Sequence, residues 1–187
     1  TTLMKVRNRG GQVIVINPAK ESGLVKFGLP KNPISLISGG SEIASLYIQP
    51  CIGGDIALMK GVAKAVIDKG EVASEFIAAH TTGYEAFAAD IAATSWDAIE
   101  TGAGLLRLEI ERLADAYIRS KSAVFAWGMG MTHHIHGVEN GEMIVNLALL
   151  RGMIGRPHAG LLPLRGHSNV QGIGTIGVKP VLAEDVM

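Results

Sequence analysis

This sequence of 187 residues has little cysteine, few aromatic side chains and no net charge. Cys51 is the single cysteine, which excludes an internal disulfide framework and a metal cluster held by cysteines of this chain. Seventeen basic and seventeen acidic side chains cancel, whereas a protein that binds duplex DNA needs a basic face. Aromatic residues make up only 5% of the chain, which argues against binding by base stacking. We therefore expect no nucleic-acid partner.

Long hydrophobic runs are also missing. No apolar run approaches the roughly 20 residues of a membrane span, and no charged-then-apolar signal segment opens the chain. The 48% of hydrophobic residues is nevertheless enough for a buried core. Because the chain starts with Thr1 rather than methionine, we expect a piece of something longer. The expectation is a cytoplasmic α/β domain or fragment.

Glycine is abundant, with 24 residues, and it is unevenly distributed. Eleven glycines lie between Gly128 and Gly177, and five of the six histidines lie between His133 and His167. Excess glycine outside low-complexity sequence predicts tight turns and close approach of the backbone to a ligand. We therefore expect the chemistry in the last third of the chain.

Short apolar runs rich in β-branched residues alternate with segments of helical periodicity. Strands are predicted at 13–16, 45–48 and 123–127. Helices are predicted at 84–91, at 103–119, through 144–150, and from an N-cap at Asp55 to Gly70. One face of the 103–119 helix carries Leu106, Ile110, Leu113 and Tyr117. Residues 152–177 show no periodicity. The alternation predicts a parallel, doubly wound sheet with flanking helices.

Ligands of such sheets bind at the carboxyl ends of the strands, and three candidate positions follow predicted strands. Asn17 follows the first strand and could reach a ribose hydroxyl. Gly53, Gly54 and Asp55 open a helix, where free N–H groups favour an anion or a polar ring. Gly128, Met129 and Gly130 follow the third strand and would let a phosphate approach. Each position also fits an ordinary strand-to-helix turn, and no full Gly-x-Gly-x-x-Gly pattern occurs.

The last third of the chain also carries polar side chains that could bind a ligand, namely several histidines and one arginine. His133, His134 and His136 suggest zinc, but the chain lacks a clear fourth ligand and a His-Glu-x-x-His helix. Hydrogen bonding of these rings to a ligand is the other interpretation. Arg165 offers a fixed fork of donors for a carboxylate or phosphate, with His167 beside it. From residue chemistry alone, this is an anion or nucleotide site.

Three motifs together resemble one enzyme family. Residues 127–134 read WGMGMTHH, residues 149–160 read LLRGMIGRPHAG, and residues 164–172 read LRGHSNVQG. They resemble the strand-exit loop, the L-L-x-G-x-x-G-x-P-x-A-G signature and the R-G-x-x-N-V-Q-G element of molybdopterin oxidoreductases. The likeness extends over essentially all of the chain. It is strongest to the formate dehydrogenase alpha-subunit group and its formate-dehydrogenase-like branch, to which GGDIAL at 53–58 also points.

The resemblance implies a fold and a cofactor. Residues 1–165 would be the C-terminal half of a Rossmann-like, molybdopterin dinucleotide-binding domain, part of a formate dehydrogenase/DMSO reductase-type fold. Residues 166–187 would return toward a neighbouring domain. The family binds Mo-bis(molybdopterin guanine dinucleotide), usually with a 4Fe-4S cluster near the N-terminus of the full protein. The molybdenum ligand lies upstream of this segment, and Cys51 does not match it, so no metal ligand is expected here.

The resemblance also assigns roles to individual positions. The loop that holds the dinucleotide corresponds to Gly128, Met129, Gly130 and His133. The family's segment that recognises the guanine end of the dinucleotide corresponds to Gly53, Gly54 and Asp55. The family's strand-end position on the guanosine side corresponds to Asn17. His167 matches a cofactor contact. Arg165 matches the arginine beside molybdenum that would orient a formate-like anion.

The leading hypothesis is a fragment of a molybdenum oxidoreductase that oxidises formate or a related small substrate, partnered by the rest of its own polypeptide and by an electron-transfer subunit. One alternative is a nicotinamide-type dinucleotide-binding dehydrogenase domain. A further alternative is a non-catalytic, zinc-binding assembly module. The excised segment by itself is expected to be inactive.

Overall fold

The computed structural model describes residues 2–28, 40–167 and 169–178. Within those ranges the chain forms ten helices and six strands. In the first half, in chain order, they are α1 Thr2–Asn8, β1 Ile14–Ile16, α2 Ser22–Val25, β2 Lys26–Phe27, β3 Ser41–Glu42, β4 Leu46–Ile48, α3 Asp55–Asp68, α4 Ser74–His80 and α5 Tyr84–Ala93. In the second half they are α6 Trp96–Ala103, α7 Arg107–Arg119, β5 Val124–Trp127, α8 Met129–Thr132, α9 Gly137–Leu150, β6 Gly160–Pro163 and α10 Val170–Thr175.

Parallel pairing dominates the strands. β1 pairs with β4 in parallel, with Ile14 opposite Leu46, and β5 pairs with β6 in parallel, with Val124 opposite Gly160. The short β2–β3 pair is antiparallel. The predicted α/β class with parallel strands and flanking helices is confirmed, although the strands of the described ranges lie in separate two-stranded sheets rather than one continuous sheet.

The buried core is mainly helical and joins the two parallel pairs. Helices α3, α6, α7 and α9 supply most of it, and Ile48 of β4 is buried there too. Phe125 and Trp127 of β5 pack against the same cluster, whereas Val13, Val15 and Ile43 form a small separate one. The parallel strands therefore pack beside buried clusters, and loop residues follow the carboxyl end of each of these strands.

Helix α3 differs from its prediction at the first residue only. Asp55 is not the N-cap but the first helical residue, because Gly54 occupies the cap position and no side chain caps the helix. The predicted apolar face is buried, including Leu58, Val62 and Val66. The helix ends as predicted, where Gly70 adopts a φ of 69° that other residues disfavour.

The predicted helix at 103–119 is wrong at its start. Gly104 adopts a φ of 66° and ends α6, and α7 begins only at Arg107. Leu106, predicted to lie on the buried face, is the N-cap residue and is 67% exposed. Local periodicity missed the break because two helices with similar apolar spacing adjoin there. The remaining predicted face, including Ile110 and Tyr117, is buried.

Several elements were not predicted, including β6 within the glycine-rich stretch at 152–177. Its hydrogen bonds start where the Gly160 N–H donates to the Ala123 carbonyl, at 3.1 Å. The domain boundary expected near residue 165 stays a prediction, and it would lie just after this strand. Residue 168 and residues 179–187 of the predicted returning segment lie outside the described residues. Among the described helices, none is both long and apolar enough for a membrane crossing.

Candidate functional site

Two loops meet at the carboxyl edge of the β5–β6 pair. Because the strands are parallel neighbours, the residues that follow them leave the sheet at the same edge. The Leu164 N–H donates to the Trp127 carbonyl oxygen at 2.7 Å and closes the pair. A Cβ atom built on Gly166 would lie only 2.6 Å from the Met129 sulfur. The structure therefore brings the predicted Gly128–Gly130 and Arg165 loops into contact.

Gly128 and Gly130 face open space. Nothing lies within 4 Å of a Cβ atom built on Gly130, and the nearest atom to one on Gly128 is the Leu164 carbonyl oxygen at 3.9 Å. Neither residue adopts the positive φ that favours glycine. Neither packing nor backbone conformation within the described residues thus requires glycine here. The absence of a side chain leaves the backbone accessible at these two positions, which suits a ligand that approaches the backbone closely.

The Gly53–Gly54 turn has a different explanation. Gly53 adopts a φ of 82°, a left-handed conformation that disfavours side chains. A Cβ atom on Gly54 would lie 2.7 Å from the Gly102 carbonyl oxygen and 2.9 Å from the Cys51 sulfur. Glycine is therefore required at both positions by the fold itself. The turn places the first turn of α3, with Asp55, at the exit of β4.

Asp55 links this turn to the loop after β5. The carboxyl group is half-buried, and burial raises its pKa above the usual range. The nearby imidazole of His134 and a backbone hydrogen bond at Asp55 oppose that rise. His134, in the loop after β5, therefore lies close enough to Asp55 to act on it electrostatically, although no hydrogen bond or ion pair joins the two side chains within the described residues.

The three clustered histidines do not converge. The His133 side chain is exposed, His134 lies near Asp55, and His136 Nδ1 is 3.7 Å from a Glu139 carboxylate oxygen. Within residues 2–28, 40–167 and 169–178, no group of three or more His, Cys, Asp or Glu side chains is placed to hold a metal ion. This arrangement gives no support to the zinc alternative.

Arg165 and His167 are exposed after β6. Across the part of the chain that the structure describes, the Arg165 guanidinium has no hydrogen bond or ion pair. Its five donors are therefore available to an anion at the edge where the open glycines lie.

Asn17 lies at the carboxyl end of the other parallel pair and is engaged locally. Its Nδ2 donates to a Glu21 carboxylate oxygen at 2.7 Å, and its Oδ1 accepts from the Ala19 N–H at 3.1 Å. This is an Asx-type turn that closes the exit of β1. A ribose contact by Asn17 stays a prediction and would compete with the Glu21 bond.

Asn140 is a buried residue that holds the loop after β5 and that the sequence reasoning missed. Its side chain is 3% exposed, and its Nδ2 donates to the Met131 carbonyl oxygen of α8 at 2.9 Å. A signal was available, because Asn140 lies three, four and seven positions before the buried Met143, Ile144 and Leu147. An asparagine in register with an apolar face indicates a buried amide that needs a partner.

The model of the molybdopterin oxidoreductase family matches residues 2–181. The chain belongs to that family. Protein YdeP of Escherichia coli K12 is 41% identical over 189 residues, covering 95% of this chain and 25% of YdeP. The uncharacterized oxidoreductase Rv2900c of Mycobacterium tuberculosis is 32% identical over 193 residues, covering all of this chain and 25% of that protein. Formate dehydrogenase H of Escherichia coli K12 is 34% identical over 140 residues, covering 75% of this chain and 20% of that enzyme.

One solved structure shares the fold. Acetylene hydratase from Pelobacter acetylenicus superimposes with a TM-score of 0.66 at 16% identity, over 83% of this chain and 19% of that chain. At that identity the likeness shows the fold alone. The chain spans about a quarter of the length of the first curated relatives. Family membership implies a molybdenum–pterin cofactor, which neither the nicotinamide nor the zinc alternative contains.

Proposed function

We propose that this chain is part of the cofactor domain of a molybdenum oxidoreductase that binds Mo-bis(molybdopterin guanine dinucleotide) and oxidises formate or a related small anion. The observation that carries the proposal is the meeting of two loops at the β5–β6 edge. One loop has glycines that nothing in the described fold requires, and the other carries an arginine that has no hydrogen bond or ion pair with any described residue. A polyanionic dinucleotide needs that combination of backbone access and positive charge.

The chain's residues fit such a cofactor in two patches. Gly128, Met129, Gly130 and His133 would hold one dinucleotide at the β5 exit, and His167 would contact it from the β6 loop. At the other patch, Gly53, Gly54 and Asp55 would hold the guanine end, and Asn17 would serve the guanosine side. The electrostatic influence of His134 on Asp55 supports a single site, because it places the two patches near each other.

Arg165 would be the catalytic residue of this segment. When bound, the molybdenum cofactor supplies two-electron redox chemistry. The role of Arg165 is to bind and orient a formate-like carboxylate through charge and paired N–H donors. Its exposure in this segment suits a group that meets a substrate between domains.

The rest of the polypeptide would supply the remaining parts of the molybdenum centre. The molybdenum ligand and any 4Fe-4S cluster must come from outside this segment, since Cys51 is its one cysteine and donates its thiol to the Gly102 carbonyl at 3.2 Å. An electron-transfer subunit and a cytoplasmic location are further parts of the proposal.

Metal and pterin analysis of the full-length protein tests the cofactor. Elemental mass spectrometry and oxidised-pterin fluorescence should find molybdenum with a guanine-dinucleotide pterin, two pterins for each metal. Zinc without pterin would refute the proposal and return attention to the histidine cluster.

Arg165→Ala in the full-length protein tests the substrate role. We expect kcat/KM for formate to fall by about two to three orders of magnitude, as when a charge-stabilising donor is removed, while molybdenum content stays unchanged. The matched control is Arg156→Ala, an exposed arginine before β6 rather than after it. Formate turnover equal to that of the control variant would contradict the role of Arg165.

A further inference from the structure

Asn140 is unusual among the buried residues. It is the single polar or charged residue that the described part of the chain buries, at 3% exposure. The other buried residues of α9 are apolar, namely Met143, Ile144, Leu147, Ala148 and Leu150. A buried amide costs stability unless it is hydrogen-bonded, so an apolar residue would serve the core better. The advantage of asparagine must lie in what its amide holds.

That amide holds the strand-exit loop, which we define as residues 128–136. Asn140 Nδ2 donates to the Met131 carbonyl oxygen at 2.9 Å. Met131 follows directly after Gly130, one of the two glycines that face open space. The hydrogen bond therefore ties the open part of the loop to the first turn of a helix that is anchored in the core.

Gly137 makes a second, independent contact to the same loop. A Cβ atom built there would lie far inside contact distance of the Thr132 carbonyl oxygen and 3.0 Å from the carbonyl carbon. The φ of Gly137 is not positive, so packing rather than conformation requires glycine. The start of α9 thus contacts two consecutive loop carbonyls, those of Met131 and Thr132.

We propose that Asn140 is a positioning residue for cofactor binding, which rests on the proposed function of this site. Its amide fixes the loop so that the backbone of Gly128–Gly130 is preorganised to receive the dinucleotide. Without the hydrogen bond, the loop would have to be ordered on binding, at the expense of affinity. Asn140 does not touch the substrate or the reacting atoms in this assignment.

The test uses Asn140→Leu, which keeps the side-chain size and removes the donor, in the full-length protein. Hydrogen exchange of the cofactor-free protein should show the 128–136 amides exchanging about 5- to 150-fold faster, the expected effect of leaving a partly buried carbonyl unpaired. Molybdenum and pterin retained by the loaded protein after dialysis should fall at least several-fold. Gly137→Ala, which displaces the same loop by contact, should shift both readouts in the same direction.

Ile110→Val is the matched control, because it weakens the core of α7 at a fully buried site elsewhere. At a comparable thermal shift, a merely structural role of Asn140 predicts equal cofactor retention in the two variants. Unchanged loop exchange in Asn140→Leu, or faster exchange with retention equal to that of Ile110→Val, would overturn the proposal. A wild-type protein that contains no molybdopterin would instead refute the proposed function. The positioning role in cofactor binding would then be refuted as well, even if hydrogen exchange shows that Asn140 holds the loop.

Discussion

The structure predicts opposite outcomes for two glycine-to-alanine substitutions at the candidate site. A Cβ at Gly54 would meet backbone of the α6 end, 2.7 Å from the Gly102 carbonyl oxygen and 3.0 Å from the Ala103 Cα. Neither atom is the end of a flexible side chain, so the turn must shift. Overpacking of this kind costs about 1–3 kcal/mol. Gly130→Ala meets open space within a helical turn, where alanine is favoured over glycine by roughly 0.5–1 kcal/mol.

Hydrogen exchange of the cofactor-free, full-length protein measures the difference directly. Gly54→Ala should speed exchange in the first turn of α3 by about 5- to 150-fold, which is the fold-change that corresponds to about 1–3 kcal/mol. Gly130→Ala should leave exchange of the apoprotein unchanged or slower. Under the proposed function it should instead lower molybdopterin retention, because the Cβ would occupy space that the proposed ligand needs.

Gly141→Ala is the matched control for this pair, since Gly141 is also helical and open. It should leave cofactor retention unchanged and, like Gly130→Ala, should leave exchange of the apoprotein unchanged or slower. The reasoning is refuted if Gly130→Ala destabilises the apoprotein as Gly54→Ala does, or if it retains as much cofactor as Gly141→Ala.

Two further predictions concern stability. Since burial raises the pKa of Asp55, the folded state binds its proton more tightly than the unfolded state, and stability falls as pH rises from about the unfolded value of 3.8 through the higher folded value. Asp55→Asn should therefore raise the denaturation midpoint at neutral pH and lose that advantage in acid; a gain that is larger in acid would contradict this. Tyr117→Phe removes a buried 2.7 Å hydrogen bond to the Leu147 carbonyl and should lower the free energy of unfolding by about 1 kcal/mol, measured with urea. A change near zero would mean that the Leu147 carbonyl finds another donor.

Much of this protein could be predicted because its signals are local. Short β-branched runs predicted the cores of β1, β4 and β5, and helical spacing predicted α3, α5, most of α7 and the second half of α9. The motif spacing predicted the family that the comparison later identified. Elements without a local pattern were missed, above all β6, whose strand identity depends on pairing with β5 rather than on its own residues.

The sequence by itself determined which residue types stand at the strand exits: the glycines, the arginine and the histidines. Only the tertiary structure decided what each of them does there. Gly54 and Gly130 are both glycines that follow a predicted strand. A Cβ on Gly54 would meet the end of α6, whereas a Cβ on Gly130 would meet open space. Likewise, Asn140 acquires its role from a carbonyl nine residues earlier. Local periodicity encodes which face is buried, whereas the atoms that meet at a given point depend on how distant segments pack.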